Sequence, residues 1–154
     1  MNLANTLMSL GDPALTLLAA SLTNAEPRLR ANAASLMGFR PGMPTNFIGA
    51  LAERISDPDV QVRTYAIDSL GRFRKNGLMV VPLLRQALLD SEPHVRFTAV
   101  RALVLLGLPA KPAVPDLIAA GERDALVRPM VLEYLRGIDP EEAERVAARF
   151  QKPQ

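Results

Sequence analysis

Few residues in this chain are equipped for covalent or metal chemistry. Its 154 residues include one histidine, His94, and no cysteine. Thiolate nucleophiles, disulfides and zinc sites of the Cys/His kind are thereby excluded. A Ser–His–Asp relay would rest on that one imidazole, and no serine or aspartate keeps a supporting spacing. An iron site needs several ligands, yet His94 is followed by Val95 and has no second histidine to join it. The acid pair Glu141–Glu142 reads as helix-start chemistry, and Gly38-Phe-Arg-Pro-Gly42 as an interhelical loop rather than a phosphate cradle. The expectation is a protein that is not an enzyme and that holds no cofactor and no metal.

What remains is charge, and the arginines carry it with regular spacing. Arg30, Arg63 and Arg96 stand 33 residues apart, and Arg128 follows after 32. Such a column is either a basic stripe for an anionic ligand or part of a scaffold. Bulk charge argues against a polyanion: 18 Lys+Arg face 16 Asp+Glu, for a net +2 despite a pI near 9.4. Aromatic residues are only 5% and Trp is absent, which is thin for stacking bases. Nucleic acid is therefore not the expected partner. A second basic feature, Arg72-Phe-Arg-Lys-Asn-Gly77, reads either as a solvated loop or, with Arg40 and Arg101, as a contact for an acidic partner or phosphates.

The elements that position these residues follow from the same period. Leu18, Leu51, Leu84 and Leu117 keep the 33-residue step, as do Leu22, Ile55 and Leu88, and then Asn24, Asp57 and Asp90. Ala33, Ala66 and Ala99 form another column, with Val131 as its shortened fourth member, and Met37, Leu70, Leu103 and Leu135 form the next. Many columns in one register mean a repeat architecture. Each unit reads as two helices. The first is Leu/Ala-rich, as in 45–55 and 81–89. The second follows an acidic-Pro turn, at Glu26-Pro27, Asp57-Pro58 and Glu92-Pro93. Proline in a first helical turn costs no hydrogen bond, and the acid before it is placed to cap. Apolar residues then recur at helical spacing, and Gly38, Gly71 and Gly107 stand where C-terminal caps belong. No stretch alternates with period two long enough for a strand.

Asp57-Pro-Asp-Val-Gln-Val-Arg-Thr-Tyr-Ala-Ile-Asp-Ser-Leu-Gly71 resembles the second helix of HEAT repeats, most of all the phycobilisome-lyase-like subgroup with its pattern D-x-x-x-x-V-R-x-x-A-x-x-x-L-G. Residues 81–96 resemble it across both helices, and the likeness runs over about 12–137. It implies an all-α fold, a right-handed α-α superhelix (solenoid) of about four to five HEAT-type helical hairpins. The hairpins are expected at 12–38, 43–74, 78–107 and 112–137, within a single domain over 1–154. Residues 1–11 read as a half-repeat cap, with Leu3, Leu7 and Leu10 on one face, and 139–151 as a C-terminal capping helix. The chain is either a piece of a longer protein or a small protein with a half-repeat start.

The resemblance also implies roles. It makes Arg30, Arg63, Arg96 and Arg128 a structural ladder, paired with turn acids of adjacent repeats at Asp57 and Asp90. It places the second helices on the concave side, where the repeats stop agreeing in type. Asn32, Tyr65, Asp68, Arg72, Phe97, Arg101, Met130 and Glu133 are the candidate partner-binding residues there, a mixture of aromatics, Met and Arg such as interface centres favour. The expected function is a scaffold that binds another protein or peptide. Two alternatives stand beside it, a nucleic-acid-binding module and a non-catalytic subunit of an enzyme or lyase complex. The apolar run 13–22 is too short to span a bilayer and follows no basic leader, so neither membrane insertion nor a targeting segment is expected, and the location expected is cytoplasmic.

Overall fold

The computed structural model describes residues 12–39 and 44–151. The readings placed on residues 1–11 and on Arg40 lie outside them. Among the described residues there are nine α-helices and no strand. We number them α1 (Asp12–Ser21), α2 (Pro27–Phe39), α3 (Phe47–Arg54), α4 (Val60–Leu70), α5 (Gly77–Ala87), α6 (Pro93–Leu106), α7 (Val114–Arg123), α8 (Arg128–Ile138) and α9 (Pro140–Phe150). Short 3₁₀ turns at Arg74–Asn76 and Leu108–Ala113 lead into α5 and α7. The fold class is all-α, of the helical-hairpin solenoid kind: α1/α2, α3/α4, α5/α6 and α7/α8, then α9 alone. No described helix is long and apolar enough to cross a membrane.

The chain divides into two compact units, Met1–Leu70 and Gly71–Gln154. In the first, α2 packs along α4. Ala31, Ala33, Ala34 and Met37 of α2 and Val62, Ala66, Ile67 and Leu70 of α4 are buried, as are Ile48, Leu51 and Ile55 of the α3 strip. Small residues let these helices approach closely. A Cβ on Gly38 would fall 2.8 Å from Ser69 Cα, and Ser69 Oγ donates to Ala34 O at 2.7 Å.

In the second unit α6 packs on α5 and α8, and α9 packs on α8. The same register position recurs: a Cβ on Gly71 would fall 2.9 Å from Ala102 Cα. This corrects the capping role read from sequence. Gly38 lies inside α2, and among the described residues Gly107 alone has a positive φ, +70°. Gly107 does end α6 in the manner of a cap, while Gly38 and Gly71 are needed because a neighbouring helix leaves no room for a side chain.

The first helix of the third hairpin begins earlier than the Leu/Ala-rich stretch 81–89 implies. α5 starts at Gly77, not Val81, and carries Pro82 in its interior. Val80, Val81, Leu84, Ala87 and Leu88 are all buried, so an i, i+3, i+4, i+7 apolar face sets the helix and Pro82 stays exposed on its outer side.

Candidate functional site

The turn inside each hairpin is built on one repeated device. The side-chain oxygen of Asn24, Asp57, Asp90 and Asp124 accepts from the backbone N–H two residues on, at 2.9, 3.0, 2.9 and 2.9 Å. These Asx turns reverse the chain before the second helix. The acid placed to cap is not the one sequence indicated. Asp59, rather than Asp57, accepts from Gln61 and Val62 N–H at α4, and the Glu92 side chain makes no cap bond at α6.

Onto each turn folds the arginine of its own repeat. Arg30 Nη1 donates to Asn24 O and Ala25 O, both at 2.9 Å. Arg63 Nη1 donates to Asp57 O at 2.9 Å and Pro58 O at 3.3 Å. Arg96 Nη1 donates to Asp90 O at 2.8 Å and Ser91 O at 2.7 Å. Each guanidinium thus reaches the carbonyls six and five residues back, where the first helix has ended and its orphan acceptors need a cation.

Arg30 does more. Its Nε and Nη2 form a fork on Asp57 Oδ2 and Oδ1 at 2.8 and 2.7 Å, with both residues buried. Arg54 adds Nη1 at 3.8 Å from the same carboxylate and donates to Leu22 O at 3.1 Å. Burial pushes the Asp57 carboxyl up, but the Arg30 hydrogen bonds, the Asp59 amide and the charges of Arg30 and Arg54 outweigh it and hold it below the usual carboxylate range. The Asp57 hydrogen bond raises Arg30 in turn.

Arg128 departs from this pattern for a countable reason. Asp124 and Arg128 are separated by four positions where Asp90 and Arg96 are separated by six. Across this shorter turn the guanidinium bonds to other carbonyls. Arg128 Nε donates instead to Gly121 O at 2.8 Å and Nη1 to Phe150 O at 3.0 Å, with the guanidinium 5.4 Å from the centroid of the Phe150 ring. Phe150 in turn lies against Gly121, where a Cβ would meet its ring. Arg149 pairs with Glu122 beside it, and Asp139 Oδ1 caps α9 from Glu142 N–H at 2.9 Å.

Two further arginines act where sequence gave no column for them. Arg54 reaches Leu22 O and Arg123 reaches Leu88 O at 3.4 Å, each from the end of one first helix to the end of the preceding one. The one signal available was a basic residue in the last turn of a helix. Tyr134 was also unmarked: its buried hydroxyl donates to Gly107 O at 3.0 Å, and burial raises its pKa.

The eight candidate binding residues lie on or just after second helices. In the first unit Asn32 on α2 and Tyr65 on α4 are exposed, and Asp68 on α4 is half-buried. Since α2 and α4 pack on each other, these three occupy one helix pair. In the second unit Arg72 follows α4 and is exposed, Arg101 on α6 and Glu133 on α8 are exposed, and Phe97 and Met130 are half-buried. Glu133 sits 3.8 Å from Arg136. Among the turn residues, the fork brings Arg30 and Asp57 together. Leu36, Phe39 and Leu105 are large apolar residues exposed on the same helices.

A recess of about 210 Å³ lined by Leu88, Arg96, Ala120, Arg123, Asp124 and Val127 falls below the range of small-molecule sites, and its arginines are engaged with backbone carbonyls. His94 is exposed, and among the described residues no three His, Cys, Asp or Glu side chains gather as metal ligands would.

A protein-family model described as HEAT repeats matches residues 48–136, from α3 through most of α8. No curated protein matches the chain.

Proposed function

The chain belongs to the HEAT-repeat family, and from that premise we propose that it is a non-catalytic scaffold that holds another protein or peptide on the outward face of its second helices. The pattern of Asp57–Gly71 supports reading it as akin to the phycobilisome-lyase-like subgroup, and the 33-residue register, which runs through both compact units, supports reading them as one repeat domain.

One observation carries the reading. The arginines that repeat faithfully bond to the turns, while five of the eight varying candidates are exposed and three half-buried. Arg30, Arg63 and Arg96 spend their donors on turn carbonyls. Asn32, Tyr65, Arg101 and Glu133 stand exposed on α2, α4, α6 and α8. An exposed tyrosine and arginine among mixed charges offer rigid apolar area with directional donors, the composition from which binding hot spots are made.

The test is capture of a partner from the source lysate by the tagged chain, with its Tyr65→Ala and Arg101→Glu variants. Both variants keep wild-type helicity and melting, and each loses the captured protein. Undiminished capture by both overturns the assignment. Capture of DNA that weakens steeply with added salt would overturn it in favour of a nucleic-acid module.

A further inference from the structure

The loops that join one hairpin to the next, with the adjoining helix ends, carry a second surface that meets the second-helix face at Arg72 and Leu105. Three register positions are involved. Arg72 and Leu105 stand 33 residues apart, as do Lys75 and Leu108, and Leu78 and Lys111. All six are exposed. Each position therefore bears a cation in one repeat and an open leucine in the other. Leu78 and Leu108 leave 78% and 72% of their surface in water, so they stand out of the surface rather than line a recess. Met79 is exposed beside them, and Arg74 adds a further cation.

The two loops are in contact within the second unit. A Cβ on Gly77 would run into Pro109, and one on Gly107 would fall 3.6 Å from Arg74 Nη2. No acidic residue occurs in 71–89 or in 93–115. The turns at the other ends of these helices are acidic instead, with Asp90, Glu92 and Asp124. The two loops thus form a local cationic patch beside Asp116 of α7, which pairs with Arg85, and its apolar tips are only partly screened by the lysine and arginine stems.

We propose that this edge rests on a bilayer surface carrying anionic lipid, the leucine and methionine tips entering the headgroup region and Arg74, Lys75 and Lys111 meeting lipid phosphates and carboxylates. Charge complementarity selects an acidic surface. Projecting side chains select one that yields to them, since a bilayer accepts a convex apolar tip without needing a matching pocket. The chain lies on such a surface and does not cross it, as no described helix has the length. This reading is independent of the protein-binding face, because Tyr65 and Arg101 take no part in it.

The chain contains no Trp, so a single introduced Trp reports its own surroundings. The full chain is prepared as Leu108→Trp and, as a control at the acidic end, as Leu126→Trp, where the native leucine is 75% exposed. Each is mixed with vesicles of phosphatidylcholine alone and of phosphatidylcholine with phosphatidylserine. The expected result is a blue shift of Leu108→Trp with the anionic vesicles only, and none for Leu126→Trp. Flotation of the wild-type chain with anionic vesicles is expected to fall by about tenfold or more in the Lys75→Glu/Lys111→Glu variant, and to weaken with added salt. The proposal is overturned by a wild-type chain that stays free of anionic vesicles at low salt. Equal shifts for the two Trp variants, or equal binding to neutral vesicles, overturn it as well. So does capture of an acidic peptide by this edge with no affinity for the vesicles.

Discussion

Arg30 and Arg128 occupy the same register position and hold different things. Arg30 closes its own turn through Asn24 O and Ala25 O and forks onto Asp57 of the next repeat. Arg128 turns away from its shortened turn and fastens Gly121 O to Phe150 O, tying α9 to the last hairpin. Two residues fewer between Asp and Arg account for the change. A repeat arginine is a donor of fixed reach. It satisfies whichever orphan carbonyls the local chain leaves within that reach, so a shorter turn converts a latch between repeats into a clamp on the following helix, α9.

The difference can be broken from the Arg30 side with the largest effect. Asp57→Ala removes the fork, the Asx acceptor for Asp59 and one counter-charge of Arg54, leaving the buried Arg30 guanidinium without its carboxylate and Arg54 with the exposed Glu53. A loss of roughly 3 kcal/mol in urea unfolding is expected, since stripping one partner from a buried pair is costlier than the pair is worth. The same carboxylate sets a pH dependence. Its pKa is lowered in the folded state, so its contribution is full above the ordinary value of 3.8 and is lost as pH falls from there through the lowered value. Midpoints measured from pH 6 down to 2 are expected to fall more steeply for the wild type than for Asp57→Asn, and parallel curves would contradict the fork.

Next in size is Gly71→Val, which places a Cβ 2.7 Å from Ala102 Cβ and is expected to cost about 2 kcal/mol of overpacking in thermal melts. A melting temperature equal to wild type would return Gly71 to the role of a simple cap. Tyr134→Phe leaves Gly107 O without its donor and is expected to cost about 1 kcal/mol, read from the urea midpoint. Asp139→Ala, at the start of α9, is expected to cost a similar ~1 kcal/mol or less, with the loss confined to the clamp end.

The register was legible in sequence because a 33-residue step leaves its mark in apolar columns, and those columns are the buried ones: Leu51, Leu84 and Leu117 have no exposed surface. The turns were legible too, through Asn24, Asp57 and Asp90. What sequence did not yield are contacts between residues far apart in the chain that carry no type signature. Arg54 on Leu22 O and Arg123 on Leu88 O bond to carbonyls, which every residue possesses. The need for Gly38 and Gly71 lies in Ser69 and Ala102, 31 residues on, so a local reading assigned them to caps. The candidate binding residues were found by the inverse signal, positions where the columns disagree, and that signal names a face without naming its partner.

Hydrogen exchange on Arg128→Ala tests the clamp most directly. Amides of α9 are expected to lose protection while those of α2 and α4, in the first unit, keep theirs. Unchanged protection of α9, or a loss shared equally with α2 and α4, would contradict the division of roles along the arginine column.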